Sequence, residues 1–381
     1  MPILDREVAI LGTGSALPER RVPNAELRQY VRNYDEASGD FSVWVDRVTH
    51  IQERRWIDPA KESAGTLGLA AARRAIEAAG LEPKDIEHVV FCSFTVHQMF
   101  PGDYSWMVHE LGIDCGVFMM TAACAGSVWG VTIGRALVQS GQYRNVLVVG
   151  SECISRATDL NDPLTAILFS DAAGAVVIGR KSDGEATGFR GRSVLRSEYA
   201  PDAIKMWNGN APTPAHLLGE QIDLVTMQQE RPALTMAAGP SVLRNAVNRM
   251  ALAVVECLGF TMQDLKDENP ALRELLSRAR IVPHQANGRI VDGLQEKLGV
   301  PVENVYRTIY HLGNCSAATM VYTLDYAVRV GNLRRESPPE GSHRMGTISP
   351  CGRRIEKGDL VVLVSIGAGY LFGATAFVHS Y

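Results

Sequence analysis

No apolar run in this 381-residue chain approaches the ~18 residues that a membrane-spanning helix needs. No charged and apolar leader precedes Val8, so the expected setting is the cytoplasm, away from membranes. The seven cysteines (Cys92, Cys115, Cys124, Cys153, Cys257, Cys315 and Cys351) are odd in number and scattered, with no Cys-x-x-Cys pair. Such spacing indicates neither a disulfide framework nor a zinc site, and no metal is expected. An excess of one charge is missing too: 38 basic residues against 42 acidic ones leave a net charge of -4, which gives no footprint for a nucleic acid. With 46% hydrophobic and 21% charged residues the chain is not disordered, and it has material for one large or two medium domains. The opening strand Val8-Ala9-Ile10-Leu11 runs into Gly12-Thr13-Gly14-Ser15-Ala16-Leu17-Pro18. A dinucleotide fingerprint would need glycine where Leu17 stands and a helix where Pro18 follows, so no nucleotide cofactor is expected.

What is present is an alternation of strands and helices. Strands are expected at 88–93, 117–120, 145–150, 279–287 and 360–366, and helices at 25–31, 63–79, 104–110, 127–138, 240–257, 272–278, 288–298 and 319–330. Residues 167–178 read as a hairpin in which small side chains let backbones approach. Residues 181–192 read as a linker, 199–218 as a loop, and the Arg-, Pro- and Gly-rich segment 332–356 as an exposed loop. Arg54 and Arg55 read either as a solvated face or as contacts to a phosphate-bearing ligand. Both halves close with a hairpin-like pair around a small-residue turn, at 150–178 and 360–378. The pattern predicts an α/β protein of two related units, 1–180 and 181–381.

Three places share one local design of strand, small-residue turn and helix, and they carry Cys124, His284 and Asn314. A thiol at a helix N-terminus meets the positive end of the helix dipole and unpaired N–H groups, which favour thiolate and can bind an oxyanion. Singly, each residue has a plain reading: a small buried hydrophobe, a core histidine, a turn asparagine. Jointly they fit one chemistry. A thiolate takes an acyl group from a thioester; a malonyl thioester then loses carbon dioxide, and the resulting enolate needs donors such as a neutral imidazole N–H and an amide.

The stretches Ala122-Ala123-Cys124-Ala125-Gly126, Val282-Pro283-His284-Gln285-Ala286-Asn287 and Gly313-Asn314-Cys315-Ser316-Ala317-Ala318 resemble the β-ketoacyl-ACP synthase III family of the thiolase superfamily. Gly12-Thr13-Gly14 with Pro18, Asp171-Ala172-Ala173-Gly174-Ala175 and Gly367-Ala368-Gly369 extend the likeness along nearly the whole chain. The resemblance implies a five-layered αβαβα thiolase fold and a homodimer. It implies Cys124 as acylated nucleophile, His284 and Asn314 at the enolate, and an oxyanion hole from the N–H groups of Cys124 and Gly369. Partners would be an acyl-CoA or acyl-carrier protein and a malonyl- or β-ketoacyl-carrier protein, with no metal or redox cofactor.

Several positions depart from the family pattern. Trp44 matches the tryptophan of the pair that grips the coenzyme A adenine, but the arginine position falls on Val48, with Arg47 one residue early. His50 replaces the following glycine, Cys315 replaces the usual threonine, Ala237-Ala238-Gly239-Pro240 replaces an asparagine-glycine, and segment 332–356 is longer than in the housekeeping enzyme. These features point to a specialised relative using a carrier protein, with Arg244, Arg249 and Arg289 as further candidates for its acidic helix. Two alternatives remain open at this stage: an acyltransferase delivering the acyl group to a hydroxyl, amine or other acceptor, and a non-catalytic carrier-binding member.

Overall fold

The computed structural model describes residues 8–181, 187–200, 204–206, 234–236, 240–339 and 341–381. Most of the expected loop 199–218, including Trp207, and the stretch Ala237-Ala238-Gly239 lie outside these residues. The first sheet contains β1 (Val8–Ala16), β2 (His88–Cys92), β3 (Gly116–Met120), β4 (Asn145–Cys153) and β5 (Asp171–Arg180), in the order β1-β5-β4-β2-β3. The second contains β6 (Gly188–Ala200), β7 (Arg280–Pro283), β10 (Leu360–Gly367) and β11 (Gly369–Val378), in the order β7-β10-β11-β6; β8 (Leu333–Glu336) and β9 (Thr347–Pro350) form a separate hairpin. Each sheet repeats one scheme. Its last two strands pair antiparallel (β4 with β5, β10 with β11), the first strand flanks the last, and a parallel strand flanks the other side.

Strand periodicity builds the layers. In β2 and β4, Val89, Phe91, Leu147 and Val149 face helices α2 (Ala64–Ala78) and α3 (Asp103–Leu111), while Val90, Cys92, Val146 and Val148 face the opposite side. On that side they meet α4 (Gly126–Gln139) and α8 (Ala317–Arg329), whose Val128, Val131, Met320 and Leu324 also touch Val361 and Leu363 of the second sheet. The other face of the second sheet, with Val362 and Val364, packs on α5 (Pro240–Cys257), α6 (Pro270–Arg278) and α7 (Gly288–Leu298). The result is helices, sheet, helices, sheet, helices.

Gly12 and Gly14 serve packing. A Cβ on Gly12 would meet the Ala75 carbonyl oxygen at 2.4 Å, and one on Gly14 would meet that of Ala71 at 2.3 Å, so the bare backbone lets α2 lie directly on β1.

Four expectations need correction. Residues 171–178 are not two arms of a hairpin but part of the single strand β5, paired on both sides. Its small residues admit α8: a Cβ on Gly174 would lie 2.5 Å from Tyr322 N. The stretch read as a linker contains the start of β6, paired with β11. The helix at Asn24 ends at Leu27, and the Asn24 amide is engaged with Ile51 O and Arg54 instead of capping.

Segment 332–356 is largely exposed, as expected, but is not a structureless loop: it contains β8 and β9, pinned to α1 (Phe41–Thr49) by Arg335 and Asp46. Burial alone would raise the Asp46 carboxyl; hydrogen bonds from Arg335 and from Gly346 N at 2.8 Å outweigh it and hold the group below its ordinary range. Asp46→Ala leaves a buried guanidinium unpaired and is expected to lower stability by about 3 kcal/mol in urea unfolding, against under 1 kcal/mol for the exposed Arg334→Ala. Equal effects would show that the pair does not anchor the hairpin.

Among the described residues no helix is long and apolar enough to cross a membrane.

Candidate active site

The three candidate residues meet at the ends of β7 and β10. After β3 the chain turns through Ala123, at φ +46°, into a 3-10 turn, Ala123–Ala125, that feeds α4. Cys124 is half-buried in that turn, and its carbonyl accepts from Ser365 Oγ at 2.7 Å. His284 follows β7; its backbone N–H donates to Val364 O at 2.8 Å, next to Ser365. Asn314 precedes α8, and its Nδ2 faces Ala286 O at 3.4 Å, two residues beyond His284. Thus Ser365, Val364 and Ala286 link the three candidates to one place. A Cβ on Gly367 would stand 2.9 Å from the N atoms of both Cys124 and Ala125, so the C-terminal glycine-rich turn abuts the cysteine turn. Gly369, at φ +119°, lies at the far end of that turn and opens β11.

The two donor candidates are pre-set. His284 is fully buried, and neither ring nitrogen has a hydrogen-bond partner among the described residues. Burial pulls its pKa down to about 3, so the ring is neutral at pH 7 and can present an N–H without charge. Asn314 Oδ1 accepts the Ser316 N–H at 2.8 Å, which assigns the other end of the amide as donor. The Asn314 backbone is clamped as well: its N donates to Leu168 O at 2.9 Å and its O accepts from Ser170 N at 3.0 Å.

Arg54 braces the far side of this clamp and is neither a solvated charge nor a phosphate contact. It is fully buried and donates to Val22 O, Asn24 Oδ1 and Ile167 O at 3.2, 2.9 and 3.1 Å, with burial pulling its pKa down to about 9.

The thiol does not rest as the thiolate that its helix terminus favours. Burial pushes the Cys124 pKa up to about 11; the Ser316 hydroxyl pulls it down, and Glu152 pushes it further up. Desolvation of a small anion outweighs the fixed dipoles around the sulfur. Use of this sulfur as a nucleophile must therefore begin with removal of its proton.

Sequence reasoning missed Glu152, Ser316 and Ser365. A glutamate at the end of the apolar run Asn145–Cys153 was the one available signal for Glu152. Its carboxylate accepts from Ser93 Oγ at 3.1 Å, Phe94 N at 3.3 Å and Thr95 Oγ1, yet burial raises its pKa from the ordinary 4.5 to about 8. Between those values the folded state holds a proton that the unfolded chain has lost, so this group's contribution to stability is present in full below pH ~4.5 and falls as pH rises towards 8. Glu152→Gln should flatten that decline by an amount on the order of a few kcal/mol in urea unfolding at pH 5 and pH 8. Parallel stability curves would contradict the assignment.

The rim candidates divide. Arg47, Arg244 and Arg289 are exposed on α1, α5 and α7. The ends of α1 and α7 adjoin, since a Cβ on Gly288 would meet the His50 Cβ at 2.5 Å. Trp44 is half-buried, its ring centroid 5.1 Å from that of Tyr34 and 5.9 Å from that of Phe41. Arg249 does not offer a guanidinium to a partner: it pairs with Glu198 at 2.9 Å through Nε and lies 4.3 Å over the Tyr370 ring. Among the described residues no group of three or more His, Cys, Asp or Glu side chains is placed to hold a metal ion.

The family model for 3-oxoacyl-[acyl-carrier-protein (ACP)] synthase III matches residues 118–197, and its C-terminal counterpart matches residues 278–338. The chain is 34% identical over 375 residues to a β-ketoacyl-[acyl-carrier-protein] synthase III of Sphingopyxis alaskensis, covering 97% of this chain and 98% of that one. It is 32% identical over 375 residues to one from Clostridioides difficile, covering 98% of each. Among solved structures it matches 3-oxoacyl-[acyl-carrier-protein] synthase III from Aquifex aeolicus VF5 with a TM-score of 0.75 at 26% identity, over 98% of this chain and 100% of that one. The priming β-ketosynthase of the R1128 polyketide biosynthetic pathway matches with a TM-score of 0.75 at 30% identity, over 98% and 97% of the two chains.

Proposed function

Since the chain belongs to the β-ketoacyl-[acyl-carrier-protein] synthase III family of acyl-transferring condensing enzymes, with the thiolase fold, we propose that Cys124, His284 and Asn314 carry out a Claisen condensation. Cys124 loses its proton and attacks an acyl thioester; the donor's thiol leaves with a proton, and the acyl group stays on sulfur. The N–H groups of Cys124 and Gly369 receive the oxyanion of the tetrahedral intermediate, a role supported by the contact of the 367–369 turn with the cysteine turn. A malonyl thioester then loses carbon dioxide. The neutral His284 ring and the Asn314 amide donate to the enolate oxygen, and the enolate carbon attacks the acyl carbon, expelling the Cys124 thiolate.

The observation that carries this reading is the pre-set donor pair: a buried neutral histidine whose ring nitrogens have no partner among the described residues, beside an amide whose oxygen is already engaged. Incubation with acyl donor and malonyl-carrier protein tests it. Release of carbon dioxide with a β-ketoacyl-carrier product is expected; an ester or amide product without carbon dioxide would make the chain an acyltransferase instead.

The donor is an acyl-CoA or acyl-carrier protein, and the acceptor a malonyl- or β-ketoacyl-carrier protein. Exposed Arg47, Arg244 and Arg289 suit an acidic carrier, and Trp44 lies on the same helix as Arg47. The enzyme works as a cytoplasmic homodimer. In support of a dimer, the neighbouring Met99 and Phe100 are 55% and 81% exposed, and Phe118 is 37% exposed on the sheet-edge strand β3.

A further inference from the structure

Ser316 sits between two of the site's reacting parts. It is fully buried at the head of α8, with φ +47° and ψ −124°, a left-handed conformation that a non-glycine residue adopts only under constraint. The constraint comes from packing. Its neighbour Ala317 meets the first turn of α4, where a Cβ on Gly126 would lie 3.1 Å from the Ala317 Cβ, and Ser127 Oγ bonds the Ala317 carbonyl. Held there, Ser316 directs its backbone N–H to Asn314 Oδ1 at 2.8 Å. Its Oγ has no hydrogen-bond partner among the described residues, and the helix head that carries it packs on the Gly126–Ser127 turn two residues beyond Cys124. A buried hydroxyl without a partner is costly unless it gains one at another point of the cycle.

We propose that Ser316 is a further residue of the catalytic site, whose hydroxyl donates to the Cys124 sulfur as the thiolate forms while its N–H holds the Asn314 amide with the donor end towards substrate. No bond of Ser316 breaks: the hydroxyl keeps its proton, and the hydrogen bond tightens when the sulfur becomes an anion. Other groups around the sulfur do not replace it. Glu152 from β4 opposes ionisation, and His284 is buried and uncharged. Cys92 of β2, beneath Gly126 and Gly130, is a buried thiol pushed well above its ordinary value. The Cys124 N–H alone acts in the same direction as the Ser316 hydroxyl.

The inference rests on Cys124 as nucleophile, and its test uses no acyl substrate, so that the two readings fail separately. Iodoacetamide labelling of the Cys124 peptide, followed by mass spectrometry from pH 6.5 to 9, reports thiolate availability. Ser316→Ala and Ser316→Gly should both label about threefold more slowly than the parent across this range, because one pKa unit less thiolate is partly offset by the greater nucleophilicity of the more basic sulfur. The glycine variant accepts the left-handed backbone, so slow labelling in both variants cannot come from altered strain. A merely structural role for Ser316 gives the opposite sign, because loosening the site exposes the thiol and speeds labelling. Rates equal to the parent's or faster in either variant overturn the proposal.

Discussion

Replacing Cys124 by serine is expected to lower acyl loading by at least about a thousandfold while leaving the fold in place. The expectation follows from how the thiol is held. Even as cysteine the group is pushed up to about 11, so only a small fraction is thiolate near neutrality. A serine hydroxyl has a far higher intrinsic pKa and would suffer the same desolvation, so a nucleophilic anion would scarcely form. The change is small in volume, and the turn is held through backbone atoms, Ser365 Oγ to Cys124 O and Ala125 N to Ala122 O at 3.0 Å, which serine retains. Melting temperature should therefore move little while the acyl mass adduct disappears. Undiminished self-acylation of Cys124→Ser would remove this residue from the mechanism.

The second large effect is expected at Asn314, and it should separate the two half-reactions. Asn314→Asp keeps an oxygen for the Ser316 N–H, and with it the backbone clamp to Leu168 and Ser170, but it can no longer offer an amide donor and places an anion beside the enolate. Removing one preorganised donor from an oxyanion costs about 100- to 1000-fold, and the added charge makes the upper figure the expected one. Acyl loading of Cys124 needs no enolate and should stay within a few-fold of the parent. Measured as carbon dioxide release from malonyl-carrier protein beside intact-protein mass, the variant should load and then stall. Unimpaired carbon–carbon bond formation would show that the enolate is stabilised elsewhere.

Much of this site was legible in sequence because its signals are local. The helices 63–79 and 288–298 announce themselves by apolar spacing, and in the structure the Ser63 side chain caps the first with Thr66. Cys124 and His284 each stand at a turn between a strand and a helix, as their consecutive letters indicate, whereas Asn314 follows the short helix Ile309–Leu312 and not the expected strand. What escaped was set by contacts between distant segments. The small residues of β5 looked like a turn because nothing nearby in sequence reveals that α8 lies on Gly174. Segment 181–192 looked like a linker because the strand that pairs with β6 is β11, at the end of the chain. The composition of 332–356 gave a loop, and only Asp46, almost three hundred residues earlier, turns Arg335 into an anchor. Glu152 and Ser316 act on Cys124 from β4 and α8, so neither role can be read from its own neighbours. The thiolate expected at the helix N-terminus failed for the same reason, since burial is a property of the folded whole.

The central claim is that one cysteine is acylated and then discharged by an enolate generated in the same site. Intact-protein mass spectrometry tests it most directly, with incubation first with a panel of acyl-CoAs and acyl-carrier proteins and then with malonyl-carrier protein. A stable acyl mass on Cys124 that is lost on adding malonyl-carrier protein, with a β-ketoacyl-carrier product, is the predicted result and names the starter unit. Discharge by an alcohol or amine without malonate, or no acyl mass on Cys124 in folded protein, would contradict it.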